Sequence, residues 1–308
     1  MNDSTLLIGF NAFILLMLLI DLGLSQRQAH FPTMKEALTW TAVWISLALL
    51  FGIFLWYELG STKAMEYYTG YVVEEALSVD NVFVFLVIFN YFAVPHHVQR
   101  KVLFWGVLSA IVFRALFIVL GAALVAKFAW ILYLLGAFLI VTAIKLAVQN
   151  DVEVQPEKNP FVRLVRKMFP MTKDYVGGKF FVKEHGRRSM TPLFLVLIMI
   201  ETTDIAFATD SIPAIFAITR DTTIIYTSNI FAVLGLRSLY FVVAGFMNQF
   251  RFLKYGLSLV LAFIGVKMLI EHWIHISIFI SLLTIFSIII ISVIASIVHD
   301  RPRKPDHR

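Results

Sequence analysis

The 308-residue sequence contains no cysteine, which excludes disulfide bonds, thiolate metal sites and cysteine nucleophiles. Charge is also scarce, because Asp, Glu, Lys and Arg make up only 15% of the residues, whereas a typical soluble domain carries about 25%. Hydrophobic residues account for 59%, and the mean hydropathy is +0.83. The chain has too little polar surface to enclose its apolar content as one soluble core. The composition therefore indicates an integral membrane protein.

Nine apolar segments are long enough to cross a bilayer, which requires about 20 residues. They run from 6–24, 38–58, 70–91, 102–124, 128–148, 191–217, 227–248, 256–271 and 274–298. The first segment follows an acidic MNDST stretch and lacks a small-x-small cleavage site, so it is not expected to be a secretory signal peptide. We therefore predict an all-α membrane protein with about nine transmembrane helices.

Lysine and arginine are distributed very unevenly between the predicted loops. Nineteen of them fall on one side of the membrane, nine of these in the long loop at 149–190, and the other side holds only Lys63, Lys127 and Arg220. Because cytoplasmic loops are enriched in Lys and Arg, we expect the N-terminus outside and the C-terminus in the cytoplasm. The net charge of +6 is then a consequence of topology, and no nucleic-acid binding is expected.

The sequence also contains a weak internal repeat. EEALSVDNVFVF, which begins at Glu74, resembles DIAFATDSIPAI, which begins at Asp204, and each acidic span is followed by a span with one Arg and a span with one Lys. Each unit holds three spans, so the second copy must enter the membrane the opposite way round, as in many secondary transporters. The equivalent positions are Glu74 and Asp204, Asp80 and Asp210, Arg114 and Arg237, and Lys145 and Lys267.

This inverted repeat of spans 3–5 and 6–8 divides the chain into five parts. They are two lead-in transmembrane helices (1–69), the first three-helix repeat (70–148), a cytoplasmic linker loop (149–190), the second three-helix repeat (191–271), and a final transmembrane helix with a basic cytoplasmic tail (272–308).

We single out ten of the charged residues inside the predicted spans, where each costs at least ~2.5 kcal/mol and points to function. Six acids stand against four bases, and one divalent cation would neutralise the difference. Oxygen-bearing side chains accompany the acids, and Pro213 removes a backbone donor, which leaves the Thr209 carbonyl free. We predict metal ligands at Glu75, Asp80, Asn81, Glu201, Asp204 and Asp210, with support from Glu74, Ser78, Thr209, Ser211, Arg114, Arg237, Lys145 and Lys267.

An all-oxygen site without His or Cys favours Mn²⁺, Mg²⁺ or Ca²⁺ over Zn²⁺ or Cu⁺. The same carboxylates can bind protons, which makes the proton a candidate coupling ion. A simpler alternative applies to Arg114 and Arg237, which would pair with acids on other helices and hold the bundle together.

The chain resembles the TerC family of integral membrane proteins, in particular its Alx-like branch of manganese exporters. The motifs that carry the resemblance are EEALSVDNVFVFL (74–86), ETTDIAFATDSIPAIFAIT (201–219), SNIFAVLGLRSLYF (228–241) and LKYGLSLVLAFIGVKMLI (253–270). The resemblance implies a multi-pass bacterial inner-membrane protein linked to Mn²⁺ efflux and to expression at alkaline pH. It also implies acidic-site positions at Glu74 or Glu75, Asp80, Asn81, Glu201, Asp204, Asp210 and Ser211.

The leading hypothesis is a transporter that exports Mn²⁺ as its substrate, with no bound organic cofactor and no enzymatic activity. An alternative is a membrane platform that supplies metal to partner proteins or assembles with them, with the 149–190 loop as the docking segment. Direct transport of tellurite is disfavoured because six carboxylates would repel an oxyanion. An aspartyl or zinc intramembrane protease is also disfavoured, since neither GxGD nor HExxH occurs. Transport direction, metal selectivity and oligomeric state stay open.

Overall fold

The computed structural model describes residues 3–27, 33–128, 130–148, 156–184, 187–245 and 252–299. Within these ranges the chain forms ten α-helices and one two-stranded antiparallel sheet. The helices are α1 (Asp3–Arg27), α2 (Met34–Leu59), α3 (Ser61–Tyr91), α4 (His96–Lys127), α5 (Ile131–Val148), α6 (Pro160–Met168), α7 (Pro192–Phe216), α8 (Thr222–Gly245), α9 (Leu253–Ile270) and α10 (Ile278–His299). The strands are β1 (Phe181–Glu184) and β2 (Arg187–Met190).

Seven helices are long and apolar enough to cross a membrane, namely α2, α4, α5, α7, α8, α9 and α10. The chain is therefore a multi-pass, all-α membrane protein, as predicted. The number of nine spans is not confirmed. Helix α3 carries Glu74, Glu75 and Asp80 in its apolar part, and the apolar stretch of α1, Ser4–Ile20, is shorter than the seven.

The helices of the two predicted repeats pack directly on one another. Helix α5 lies along α9, and both α3 and α4 contact α7 and α8. Each proposed equivalent pair (α3 with α7, α4 with α8, α5 with α9) is thus in contact. The inverted repeat itself stays a prediction. Helix α2 covers α3 and α8, and α10 covers α3 and α9.

The loop at 149–190, which was predicted to be a cytoplasmic linker, is folded in its described part. A 3-10 turn at Pro156–Lys158 leads into α6, and β1 and β2 form a hairpin in which Phe181 faces Met190. The loop docks on the α3–α4 turn, because the Tyr175 hydroxyl donates to the Phe92 carbonyl at 2.7 Å and the Lys101 ammonium donates to the Gly178 carbonyl. Composition alone did not predict this structure.

Two glycines bring α5 and α9 into close contact. A Cβ added at Gly265 would lie 2.8 Å from the Gly136 carbonyl oxygen and 2.9 Å from the Ile140 side chain. A Cβ at Gly136 would in turn lie 3.1 Å from the Gly265 carbonyl oxygen. Small residues at helix contacts let membrane helices approach closely enough for van der Waals packing.

We expect Gly265→Ala to lower stability by about 1–3 kcal/mol, because the new methyl group meets backbone atoms that cannot move without separating the helices. The matched control is Gly9→Ala in α1, where nothing lies within 4 Å of the added Cβ and the helix gains up to about 1 kcal/mol. Thermal unfolding of both variants in detergent checks this. Equal melting temperatures would contradict the close packing.

The contribution of Tyr175 to the stability of the docked loop is expected to depend on pH. Burial raises the pKa of Tyr175 to about 12 from its ordinary value of about 10. The folded protein therefore favours the neutral phenol, which contributes stability below about pH 10 that is lost as the pH rises through about 12.

We expect Tyr175→Phe to cost about 1 kcal/mol at pH 7, where it removes one hydrogen bond, and progressively less above about pH 10. Unfolding at a series of alkaline pH values, with the 86% exposed Tyr57 changed to Phe as control, measures the difference. A Tyr175→Phe effect that is independent of pH would contradict the prediction.

Carboxylates around a buried arginine form the candidate site

Arg114 lies at the centre of the four-helix contact between α3, α4, α7 and α8, and it is completely buried. Its guanidinium donates to Glu74 on α3 and to the Asn229 side-chain oxygen on α8 at 3.0 Å. It also holds both oxygens of Asp204 on α7, through Nη2 at 3.1 Å and Nε at 3.4 Å. One arginine thus connects two of the predicted acidic residues, and the pairing alternative applies to Arg114.

Glu201 lies one turn towards the start of α7 from Asp204. Its carboxylate accepts a hydrogen bond from the Ser109 hydroxyl on α4 and lies close to Gly106. Gly106 and Asp204 both line a small, mostly apolar cavity of about 10 Å³, close to the minimum for one water molecule. Asp204 therefore lines a narrow space among α3, α4, α7 and α8, and Glu201 lies beside Gly106, which lines the same space.

The adjacent residues Glu74 and Glu75 face different neighbours, as successive residues on a helix must. Glu74 points to Arg114, whereas Glu75 interacts with the Tyr71 hydroxyl and lies beside Gly235 on α8. The sequence left open which glutamate is the ligand. In the structure Glu74 already has a cationic partner, and the partner of Glu75 is a neutral phenol.

Asp210 lies on another side of α7, because six residues along a helix correspond to a rotation of about 240°. It accepts a hydrogen bond from Thr142 on α5 at 3.2 Å, and Lys145 is close enough to influence it electrostatically. The structure therefore brings Glu74, Asp204 and Glu201 together but directs Asp210 towards α5.

The other predicted residues have varied surroundings. Ser78, Asn81, Ser211 and Lys267 are buried, Arg237 is half-buried, and Thr209 and Lys145 are exposed. Asp80 belongs to α3, but its side chain lies outside the described part of the structure. Helix α7 continues through Pro213 without a break, so the Thr209 carbonyl lies within a continuous helix.

Several carboxylate oxygens in this region lack a hydrogen-bond partner among the described residues. They are Oε2 of Glu74, Glu75 and Glu201, and the nearby hydroxyls of Ser78 and Ser211 share this property. Ser211 lies close to Glu74 but outside hydrogen-bond geometry. Unsatisfied buried oxygens are costly, and a cation or proton would satisfy them. In the described ranges, however, no three Asp, Glu or His side chains are grouped as a ready metal site.

Sequence reasoning missed Asn229, Ser109 and Tyr71, each of which contacts a charged member of the cluster. Asn229 offered a signal, because it is a lone amide within an apolar span and so needs a polar partner. Ser109 and Tyr71 gave none, since a serine hydroxyl in a helix can bond to its own backbone and tyrosines are common near the ends of membrane spans.

Residues 59–304 match the integral membrane protein TerC family. The chain belongs to the TerC family. No solved structure matches it.

Relatives match almost the whole chain. An "Uncharacterized membrane protein STKORF319" of Myxococcus xanthus is 47% identical over 95% of this chain and 92% of its own length. A protein of Escherichia coli (strain K12) named as membrane-bound redox modulator Alx is 46% identical over 93% of this chain and 92% of its own length. A Rickettsia felis membrane protein is 41% identical over 97% of this chain.

Removal of the Arg114 charge is expected to lower the stability of the protein strongly. We expect Arg114→Met to cost about 3–5 kcal/mol, because it leaves Glu74 and Asp204 buried without their counter-charge. The triple variant Glu74→Gln, Arg114→Met, Asp204→Asn removes all three charges and should recover much of that loss.

Thermal unfolding in detergent measures both effects, with the exposed Arg220→Met as a control that is expected to change stability by less than about 0.5 kcal/mol. If Arg114→Met is as stable as the control, or if the triple variant is less stable than the single one, the cluster does not have this role.

Proposed function

We propose that this protein is a transporter that exports divalent cations, above all Mn²⁺, through the carboxylates between α3, α4, α7 and α8. The observation that carries the proposal is the set of unpartnered carboxylate oxygens on Glu74, Glu75 and Glu201, deep among membrane helices. A protein that only needed a stable bundle would gain by replacing these groups with apolar ones. A passing cation would satisfy oxygens that have no hydrogen-bond partner among the described residues.

The chemistry of the donors supports the choice of cation. Carboxylate, hydroxyl and amide oxygens suit hard divalent ions such as Mn²⁺, Mg²⁺ and Ca²⁺. Glu75, Glu201 and Asp80 are the ligands we propose, with Asn81, Asp204 and Asp210 as further members of the predicted set. Because Arg114 already neutralises part of Glu74 and Asp204, those two would position the others. Protons would exchange with the cation on the same carboxylates.

The direction of insertion belongs to the same proposal. With Lys and Arg concentrated in the loops between alternate spans, the C-terminus would lie in the cytoplasm and the N-terminus outside a bacterial inner membrane. The cytoplasmic loop then lies next to the end of the cluster marked by Glu201, and a cation would enter from that side.

The name of the Escherichia coli relative refers to redox modulation. This chain has no cysteine, so a thiol of its own cannot mediate such an effect. We propose that any influence on redox state follows indirectly from the level of a redox-active metal such as manganese.

The proposal predicts Mn²⁺ flux in a purified system. In proteoliposomes that contain a Mn²⁺-sensitive dye, wild-type protein should give metal-dependent flux, and Glu75→Gln or Glu201→Gln should reduce it at least about tenfold, since loss of a single buried ligand costs ~1.4 kcal/mol or more. Glu184→Gln, at an exposed carboxylate on β1, is the control.

A panel of Mn²⁺, Mg²⁺ and Ca²⁺ with and without a pH gradient then reports selectivity and coupling. Equal flux in wild type, both variants and protein-free vesicles would overturn the proposal.

The competing proposal is a membrane platform that supplies metal to partner proteins, for which the folded loop offers a docking surface. Flux in vesicles that contain no other protein excludes the platform as the sole role.

A further inference from the structure

Helix α6 presents an unusual surface for a segment of a predicted cytoplasmic loop. Phe161, Leu164 and Met168 are 54%, 55% and 63% exposed. Their spacing of three and four residues puts them on one face of the helix. Arg163, Arg166 and Lys167 are also exposed and lie on the opposite side. The helix is therefore amphipathic, and its apolar face is open within the described part of the protein.

The helix is firmly anchored at its beginning. The Asn159 side-chain oxygen caps it by accepting from the backbone amides of Phe161 and Val162 at 3.0 and 3.2 Å, and Pro160 occupies the first turn, where it fits without loss of a hydrogen bond. Val162 is completely buried in the core that includes Met199 of α7. A well-capped helix with one buried anchor presents its other faces in a fixed orientation.

The contacts of Asn159 place α6 beside a membrane-crossing helix. Its amide donates to the Thr202 hydroxyl at 2.7 Å and approaches the Met199 sulfur at 3.6 Å. Thr202 lies ten residues into α7, which is about 15 Å along a helix axis. Since α7 is one of the seven candidate spans, a helix held against its flank meets the bilayer rather than bulk solvent.

We propose that α6 is a membrane-surface helix that buries Phe161, Leu164 and Met168 among acyl chains and pairs Arg163, Arg166 and Lys167 with anionic lipid headgroups. Charge complementarity favours this occupant over a partner protein, because the cytoplasmic leaflet is negatively charged and attracts basic residues near its surface. Long basic side chains reach the headgroups while apolar neighbours stay below them. This inference rests on the cytoplasmic placement of the loop in the proposed function, but not on cation transport.

The absence of native cysteine permits a direct test with single-cysteine variants. Leu164→Cys and, as a control on the hairpin, Lys183→Cys are labelled with an environment-sensitive fluorophore. Both are reconstituted in vesicles of phosphatidylcholine with phosphatidylglycerol in equal parts. We expect brominated acyl chains to quench the label at position 164 and aqueous iodide to quench the label at position 183.

A charge series then tests the headgroup contribution. In the Leu164→Cys background, a triple change should shift quenching of the label from brominated lipid towards iodide. The three substitutions are Arg163→Gln, Arg166→Gln and Lys167→Gln. The matched triple change Lys173→Gln, Lys179→Gln, Lys183→Gln removes the same charge from exposed positions outside α6 and should not. Vesicles of phosphatidylcholine alone should abolish the difference between the two triple variants.

Iodide quenching at position 164 in both vesicle types would overturn the proposal and would instead fit a face that waits for a protein partner. Lipid quenching that is indifferent to both the charge changes and phosphatidylglycerol would overturn the anionic-lipid part. Circular dichroism and melting temperature of each variant distinguish these outcomes from a failure to fold.

Discussion

The rest of the architecture depends on the burial of one positive charge. Arg114 has no exposure to solvent, and its guanidinium must find all its partners inside the protein, because the hydrocarbon layer offers none. Glu74, Asp204 and Asn229 provide them from three other helices. This requirement fixes the relative position and rotation of α3, α4, α7 and α8 more tightly than apolar packing can, since lipid and leucine are equally good neighbours for an apolar helix.

Once these four helices are fixed, the remaining charges cannot all be satisfied. Glu201 obtains one hydroxyl donor from Ser109, Glu75 faces Tyr71, and each keeps a buried oxygen without a partner in the described structure. The protein thus combines an ionic cluster around Arg114, which holds the bundle although Glu74 keeps one oxygen without a partner in the described structure, with neighbouring carboxylates that are incompletely paired. In a membrane such groups are expensive to retain, and this contrast is the physical basis for proposing cation transport.

The sequence predicted the features that depend on composition and on charge inside apolar segments. The membrane class, the helical fold and the presence of acids and bases within apolar helices were readable, because bilayer thickness and the cost of intramembrane charge constrain them directly. Side-chain direction was not readable. Helix rotation, which packing determines, decides whether Glu74 or Glu75 contacts Arg114. It also decides that Asp210 points towards α5. The Asn159 contact with Thr202 joins residues that are 43 positions apart, and no local sequence pattern predicts this contact.

The most direct test of the central claim is to locate manganese in the protein itself. Crystals or oriented samples of the purified protein in Mn²⁺ should be measured at the manganese absorption edge, so that anomalous scattering marks the ion. We expect a peak among α3, α4, α7 and α8, within about 2.5 Å of carboxylate oxygens that include those of Glu75 or Glu201, and we expect that peak to be lost in the corresponding Gln variants. Manganese bound only outside the bundle, or an identical peak in the variants, would contradict it.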